Sequence, residues 1–320
     1  VNTRSGAETS VMLSRLWLER NPTHAVLLSD IANGYGSVQR KNVGDRIRKH
    51  LEQLSTTWAF LYGDRINKII LTLPDGTQQV EDMHDGLLQG CCFAAAAFTL
   101  TGVDSRTEIN GWYDPPNHDI NGAAAPTTTI QQKTAPREAI FSEYIDDQNF
   151  LGTPQHVLKM FIRSVQMDAA QGKHPCRKKI VVASPTRETL LDPAWTALEE
   201  YINSTYPPIQ GKPPFTLVRC HIGPDDHLPP CEDDIHDDKG VIFLGGAIGT
   251  PEYRQQYIQR KIESAKQTTN NIGIIPLQPR IELLRYCAIT KVDYHARINF
   301  PSDSHSALED FDNHITGPDG

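Results

Sequence analysis

The chain has 320 residues, 38% of them hydrophobic and 22% charged, with a formal net charge of −8. That length suffices for one large or two modest domains around a substantial core. No apolar run approaches the ~18 residues of a membrane span, and no basic-then-apolar signal pattern opens the sequence. Six cysteines, two of them adjacent at Cys91 and Cys92, make a poor disulfide framework and point to a reducing, intracellular compartment. The acidic balance weighs against a nucleic-acid partner, since such proteins usually carry basic surfaces.

The opening residues read as a helix, with Ser5 and Glu8 spaced as a capping box and Leu13, Leu16 and Trp17 at helical spacing. A chain that starts almost directly in a helix is expected to be a piece of something longer. Ala25 to Leu28 is a short apolar run, the pattern of a buried strand, and it ends at Asp30. Gly34 and Gly36 loosen the backbone, and Ser37 is the expected N-cap of a helix carrying Val43, Ile47, Leu51 and Leu54 on one face. "INKIILTLPDGTQQVED" reads as a hairpin turning at Pro74-Asp75-Gly76. "GLLQG" then turns into a small-residue helix, with Cys91 and Cys92 as small apolar residues at its start.

Residues 101–137 have the composition of an inserted loop. "FSEYIDDQNF" follows as a hairpin that puts Asp146 beside Asp147 at its tip. Thr153 and Pro154 occupy the cap and first-turn positions of a helix with Val157, Phe161, Val165 and Asp168 on one face, closed by Gly172. "KKIVVAS", "FTLVRCHI" and "GVIFLGG" read as strands, with a helix at 193–203 between the first two. The acidic stretch from His221 to Asp238 reads as a solvated loop, because its His and Cys match no zinc-finger spacing. From Pro251 the pattern is mainly helical.

The order β-α-(hairpin)-α-β-β-α-β predicts an α+β fold: a split βαβ arrangement with an antiparallel sheet and helices on one face. In that topology Asp30, at the end of the first strand, lies beside Asp146 and Asp147. An Asp pair at a tight turn is ordinary, since Asp bonds its own backbone there. Three carboxylates on one sheet edge repel unless a cation sits among them. Two Mg²⁺ ions ~3.5–4 Å apart would quench that field and would clamp the attacking and leaving oxygens of a phosphoryl transfer. Mg²⁺ keeps waters and substrate phosphates as ligands, so two or three Asp are enough.

At these residues the sequence resembles reverse transcriptases of the non-LTR retrotransposon type, over their palm and thumb portion. "SDIANGYGSVQR" is similar to the family's first motif, D-I-K-N-A-F-N-S-V, through Asp30, Ile31, Asn33, Tyr35, Ser37 and Val38. "GLLQG" resembles G-V-x-Q-G through Gly86, Gln89 and Gly90, and "YIDD" the aromatic-apolar-Asp-Asp motif. "KKIVVAS" is placed like the motif that supplies a lysine, "FLGGAIG" resembles the primer-grip L-G-x-x-I-G, and "PLQPRIELLRYC" the thumb segment. Each motif alone is weak; six in the family's order on the expected elements are specific.

The resemblance implies an RNA-directed DNA polymerase core that adds deoxynucleotides to a primer 3′ end with two Mg²⁺ ions, or Mn²⁺ in their place. RNA template, DNA primer and deoxynucleoside triphosphates are the implied partners, and the nucleus the implied location. It implies Asp30, Asp146 and Asp147 as catalytic metal ligands. Ile31, Tyr35, Gln89, Gly90 and Lys178 or Lys179 would form the nucleotide site, with Tyr35 under the sugar and one lysine serving the leaving pyrophosphate. A palm is expected over 1–238 and a primer-grip and helical thumb over 239–320, the family's fingers being missing at the N-terminus. The sequence departs from the family where Cys91 and Cys92 replace the residues after Q-G, and at Gly34 and Gly36 around Tyr35. Two rivals stand beside this reading: a catalytically silent remnant that binds nucleic acid or acts as a scaffold, and a two-metal phosphodiesterase using the same carboxylates.

Overall fold

The computed structural model describes residues 6–63, 67–88, 91–112, 137–208, 213–223, 235–236 and 239–317. The chain forms two compact units that are interleaved along the sequence. One takes Leu27–Ile180 and Pro193–Leu217; the other takes residues 6–26, Val181–Asp192 and residues 218–317.

In the first unit the strand β1 (Ala25–Asp30), which begins two residues earlier, is buried along its whole length, as its unbroken apolar run demands. A turn through Asn33, in the left-handed conformation at φ 51°, leads to the short helix α2 (Gly34–Ser37) and then to α3 (Arg40–His50). Ser37 therefore ends one helix instead of capping the next. Val43 and Ile47 face the core as expected, but the chain breaks at Leu51, forms a 3₁₀ turn at Glu52–Leu54, and restarts as α4 (Ser55–Tyr62). The expected hairpin is β2 (Asn67–Thr72) with β3 (Gln78–Met83), antiparallel and exposed along β3.

Helix α5 (Cys92–Thr101) buries Ala94, Ala97 and Phe98, its small residues admitting neighbours closely. Helix α6 (Val103–Gly111) follows, so the expected insertion opens as a helix that buries Ser105 and Ile109; residues 113–136 lie outside the described residues. Strands β4 (Ile140–Tyr144) and β5 (Asp147–Gly152) form the second expected hairpin, and β5 lies between β4 and β1. Helix α7 (Pro154–Ala169) starts at the anticipated cap, where the Thr153 hydroxyl accepts the His156 N–H at 3.4 Å. Phe150 joins the hairpin to α7: its ring stacks on Phe141 at 4.6 Å and meets Phe161 edge-on at 5.6 Å. Helix α9 (Pro193–Thr205) packs on α7.

The second unit holds α1 (Gly6–Arg20), β6 (Val181–Ser184), α8 (Arg187–Leu190), β7 (Val218–His221) and β8 (Ile235–His236). These three strands run parallel, so the sheet that the sequence predicts as antiparallel is mixed. The reason is the connection from β6 to β7: it contains α8 and α9, and helical crossovers return a chain parallel to itself. The α+β class itself holds, with hairpins alongside helices. A further tight hairpin, β9 (Gly240–Phe243) and β10 (Gly246–Gly249), turns at Leu244 and Gly245, both at positive φ.

Helix α10 (Pro251–Ile272) packs on α13 (Pro301–Thr316) through Ile258, Ile262, Ala265, Ala307 and Phe311. Between them run α11 (Leu277–Leu283), a π-helical stretch (Leu284–Ile289) and α12 (Thr290–Ile298), the helical end that the sequence predicts. The buried Arg15 of α1 anchors this unit by donating to the carbonyls of Ala247 at 2.7 Å and Ile298 at 2.6 Å and to Asn299 at 2.8 Å. Arg254 adds a fork to Asp303, at 2.6 and 3.2 Å. Among the described residues no helix is long and apolar enough to cross a membrane.

Candidate active site

Asp30 sits where three chain segments are laced together by backbone hydrogen bonds. Ile31 N–H donates to the carbonyl of Asp146 at 3.0 Å, tying the end of β1 to the tip of the β4-β5 hairpin. On the other side, Cys176 N–H donates to the Asp30 carbonyl at 2.7 Å and Ala32 N–H to that of His174 at 2.8 Å. The end of β1 thus lies beside the tip of the acidic hairpin.

The hairpin register places Tyr144 opposite Asp147, so Ile145 and Asp146 alone make the turn. Ile145 adopts φ 62°. A β-branched residue in that region is an outlier, and such strain costs on the order of 1–3 kcal/mol. Ile145 is held there by packing on the cluster around Ile31, Val38 and Phe98. The strained turn delivers Asp146 to the end of β1 and starts β5 at Asp147.

The electrostatics follow from crowding acids in a half-buried place. Burial, the charge of Asp146 and the charge of Asp30 push the Asp147 carboxyl up to about 6. Asp146 is raised as well, by burial and by Asp30. One cation answers them. Lys179 Nζ lies 2.5 Å from Asp30 Oδ2, and that hydrogen bond and charge raise the Lys179 pKa. The two lysines that the sequence leaves open are thereby distinguished: both are exposed in the 3₁₀ turn Arg177–Lys179, and Lys179 is the one that reaches the acids.

Tyr35 stands beside this cluster, its ring 5.2 Å from that of Phe98 and its hydroxyl pKa raised by burial, Asp146 and Tyr144. Gly34 explains itself here. A Cβ at that position would lie 3.1 Å from Phe98 Cζ and 3.3 Å from the Cβ of Asp146. The glycine lets the Tyr35 turn close on the acidic doublet. Ile31 is buried beneath. The loop before α5 is fastened to the same segment: Gly86 N–H donates to the Val38 carbonyl at 2.9 Å and Leu87 N–H to that of Tyr35 at 2.6 Å. Gln89 and Gly90 lie outside the described residues.

Sequence reasoning missed a buried ionic network behind the hairpin. Lys173, fully buried, pairs with Asp168 of α7 at 2.6 Å and with Glu143 of β4 at 3.6 Å. Arg106 of α6 reaches Glu143 at 2.5 Å, and Gln148 of β5 donates to Asp168 at 2.7 Å. Burial drives the Glu143 carboxyl up while Lys173 and Arg106 pull it down; burial alone would lower Lys173, but Asp168 and Glu143 reverse that and hold it raised. The one signal in the sequence was Asp168 on the otherwise apolar face of its helix.

The group that these acids imply is a divalent cation. The donors fit it in kind, being hard carboxylate oxygens whose mutual repulsion a dication would relieve. They do not form a ready cage: among the described residues no three His, Cys, Asp or Glu side chains are grouped to hold one ion. Charges act over longer distances than ligation, and Lys179 already occupies an oxygen of Asp30. The charge of Asp30 is felt at Asp146 and Asp147, and raises both, without the three acids surrounding a common point.

No family model matches the chain, and no curated protein matches it. Among solved structures it is similar to telomerase from Candida albicans in complex with the TWJ fragment of telomeric RNA. The TM-score is 0.44 at 9% identity, covering 98% of this chain and 47% of that one. Apo telomerase from Candida tropicalis gives a TM-score of 0.40 at 9% identity, covering 99% and 56%. The form of that apo telomerase truncated from its C-terminal domain gives 0.38 at 12% identity, covering 57% and 35%. The chain thus spans between about a third and somewhat over half of these proteins, and likeness at this level carries no argument about activity.

Proposed function

We propose that the chain is the core of an RNA-directed DNA polymerase of non-LTR retrotransposon type, adding deoxynucleotides to a primer 3′ end. The observation that carries this reading is the junction of Asp30 with Asp146 and Asp147 through the Ile31–Asp146 hydrogen bond, on the motifs that the sequence sets in the family's order. In this reading Asp30, Asp146 and Asp147 hold Mg²⁺. Bound there, the metal supplies the positive charge that stabilises the attacking and leaving oxygens of phosphoryl transfer.

The chain's own residues do the rest by position and charge. Tyr35, packed on Phe98, forms the floor under the incoming sugar, where a 2′-hydroxyl would meet the ring. Gln89 and Gly90 border the nucleotide and template. Lys179, once Asp30 releases it, offers its ammonium to the leaving pyrophosphate. The nucleophile belongs to the primer, so no side chain need supply one.

Primer extension on an RNA template with the four deoxynucleotides and Mg²⁺ tests the proposal. Extension should vanish in Asp30→Ala and Asp146→Ala; extension that survives either substitution overturns it. The Lys179–Asp30 ion pair, with no three-acid cage among the described residues, favours a second reading, a silent remnant that binds nucleic acid or serves as a scaffold. A thermal-shift titration separates the two, because a silent remnant gains no stability from Mg²⁺.

A further inference from the structure

Helix α3 is the most basic element near the site, and its two flanks are used differently. Arg46, Lys49 and His50 on one flank all converge on Asp104 of α6. Arg40, Lys41 and Arg48 on the other line an open pocket of about 620 Å³, together with Trp58, Tyr62 and Asp85. In a chain of net charge −8, this wall sets three cations against one acid. That acid is engaged from below, where Asp85 Oδ1 accepts the Arg40 backbone N–H at 3.2 Å.

The cations are held differently. Arg40 is buried and fixed, its Nε donating to the Gly86 carbonyl at 2.8 Å and its guanidinium lying 5.5 Å from the centre of the Tyr62 ring. Arg48 meets Asp45 at 2.6 Å, but both side chains are more than half exposed, where such a pair is worth little. Lys41 is exposed and pairs with no acidic side chain among the described residues. The floor is deliberately close: a Cβ at Gly44, between the cations, would lie 2.7 Å from Trp58 Nε1, so only glycine lets α3 settle on the stacked Trp58–Tyr62 pair.

From residue 40 to residue 48 the helix rises about 12 Å. That exceeds one phosphate group and suits successive phosphates along a strand, tracked by a basic groove. We propose that this pocket binds the sugar–phosphate backbone of a single nucleic-acid strand, with Arg40, Lys41 and Arg48 as its phosphate contacts. The choice of nucleic acid over another polyanion rests on the polymerase reading. The pocket adjoins Gly86, whose carbonyl holds Arg40 in place.

The test is anisotropy of short labelled single-stranded RNA and DNA with the whole chain, in EDTA and at several salt concentrations. Lys41→Glu with Arg48→Glu alters two exposed side chains and leaves the Arg40 anchor intact; circular dichroism verifies the fold. Binding should weaken at least tenfold, and the slope of log affinity against log salt should become shallower by about 1.4, the loss of two contacts. A charge-matched control, Lys68→Glu with Lys261→Glu, should bind like the parent chain. Unchanged affinity and slope in the pocket variant overturn the proposal, as does an equal loss in the control. Capture of inorganic phosphate without either oligonucleotide also overturns it. Because no metal or turnover is needed, this result is independent of primer extension by the Asp30 and Asp146 variants.

Discussion

The Lys179 ammonium and the Asp30 carboxylate, 149 positions apart in sequence, lie 2.5 Å from each other. An ion pair at that place competes with a dication for the same oxygen. Lys179→Met should therefore tighten Mg²⁺ binding several-fold in a thermal-shift titration while slowing nucleotide addition, since the leaving pyrophosphate loses its cation. Lys178→Met, altering the neighbouring exposed lysine, should change neither. At ten times its dissociation constant Mg²⁺ should stabilise the parent chain by about 1.4 kcal/mol, a gain that Asp30→Ala abolishes.

Asp147 links stability to pH with a definite sign. Its folded pKa, about 6, lies above the ordinary carboxylate value of 3.8, so the folded state binds more protons than the unfolded state between those pH values. Stability accordingly falls as pH rises through that window and then levels off. Asp147→Asn removes the buried charge. It should melt higher than the parent by about 2 °C at pH 7.5 and no higher at pH 4, as followed by calorimetry without divalent ions.

Lys173 neutralises two acids where water does not reach. Replacing it by Met leaves Asp168 and Glu143 with Arg106 as the remaining cation paired with them among the described residues. Removing one partner of a buried ion pair typically costs about 3–5 kcal/mol. Urea denaturation of Lys173→Met should show a loss of that size, reduced by Glu143→Gln in the same chain.

Gly34→Ala probes the approach of Tyr35 to the doublet. The new methyl would stand 3.1 Å from Phe98 and 3.3 Å from Asp146 Cβ, so both must yield by a few tenths of an ångström. Stability should change by less than about 1.5 kcal/mol. The KM for deoxynucleotides should rise and discrimination against ribonucleotides should shift, because the ring floor moves; steady-state kinetics with both sugars reads this out.

Much of this was legible from local patterns. A solid apolar run announced β1, the Asp pair of "YIDD" announced the hairpin turn, and Thr153-Pro154 announced α7. Those signals are short-range, and the structure keeps them. Ser37 misled because a left-handed Asn33 had already turned the chain into a four-residue helix. Residues 103–111 hid their helix because they bury Ser105 as well as Ile109, leaving no apolar period to find. The parallel β6-β7 pairing depends on a crossover through α9, and the Lys173 network on residues from α6, β4, β5 and the end of α7; no window of sequence contains either. Lys179 could be told from Lys178 only once the 3₁₀ turn gave each a direction.

Arg15 has one more implication. Its acceptors, Ala247 and Ile298, emerge from synthesis 232 and 283 residues after it. Helix α1 must therefore wait, with a cationic group meant for burial, until the 283 residues up to Ile298 have followed it. Contacts this distant slow folding and prolong the exposure of sticky intermediates. Expression trials that remove either α1 or α12 should thus yield aggregates rather than smaller soluble proteins, and chaperone demand should persist until the segment through Ile298 has emerged.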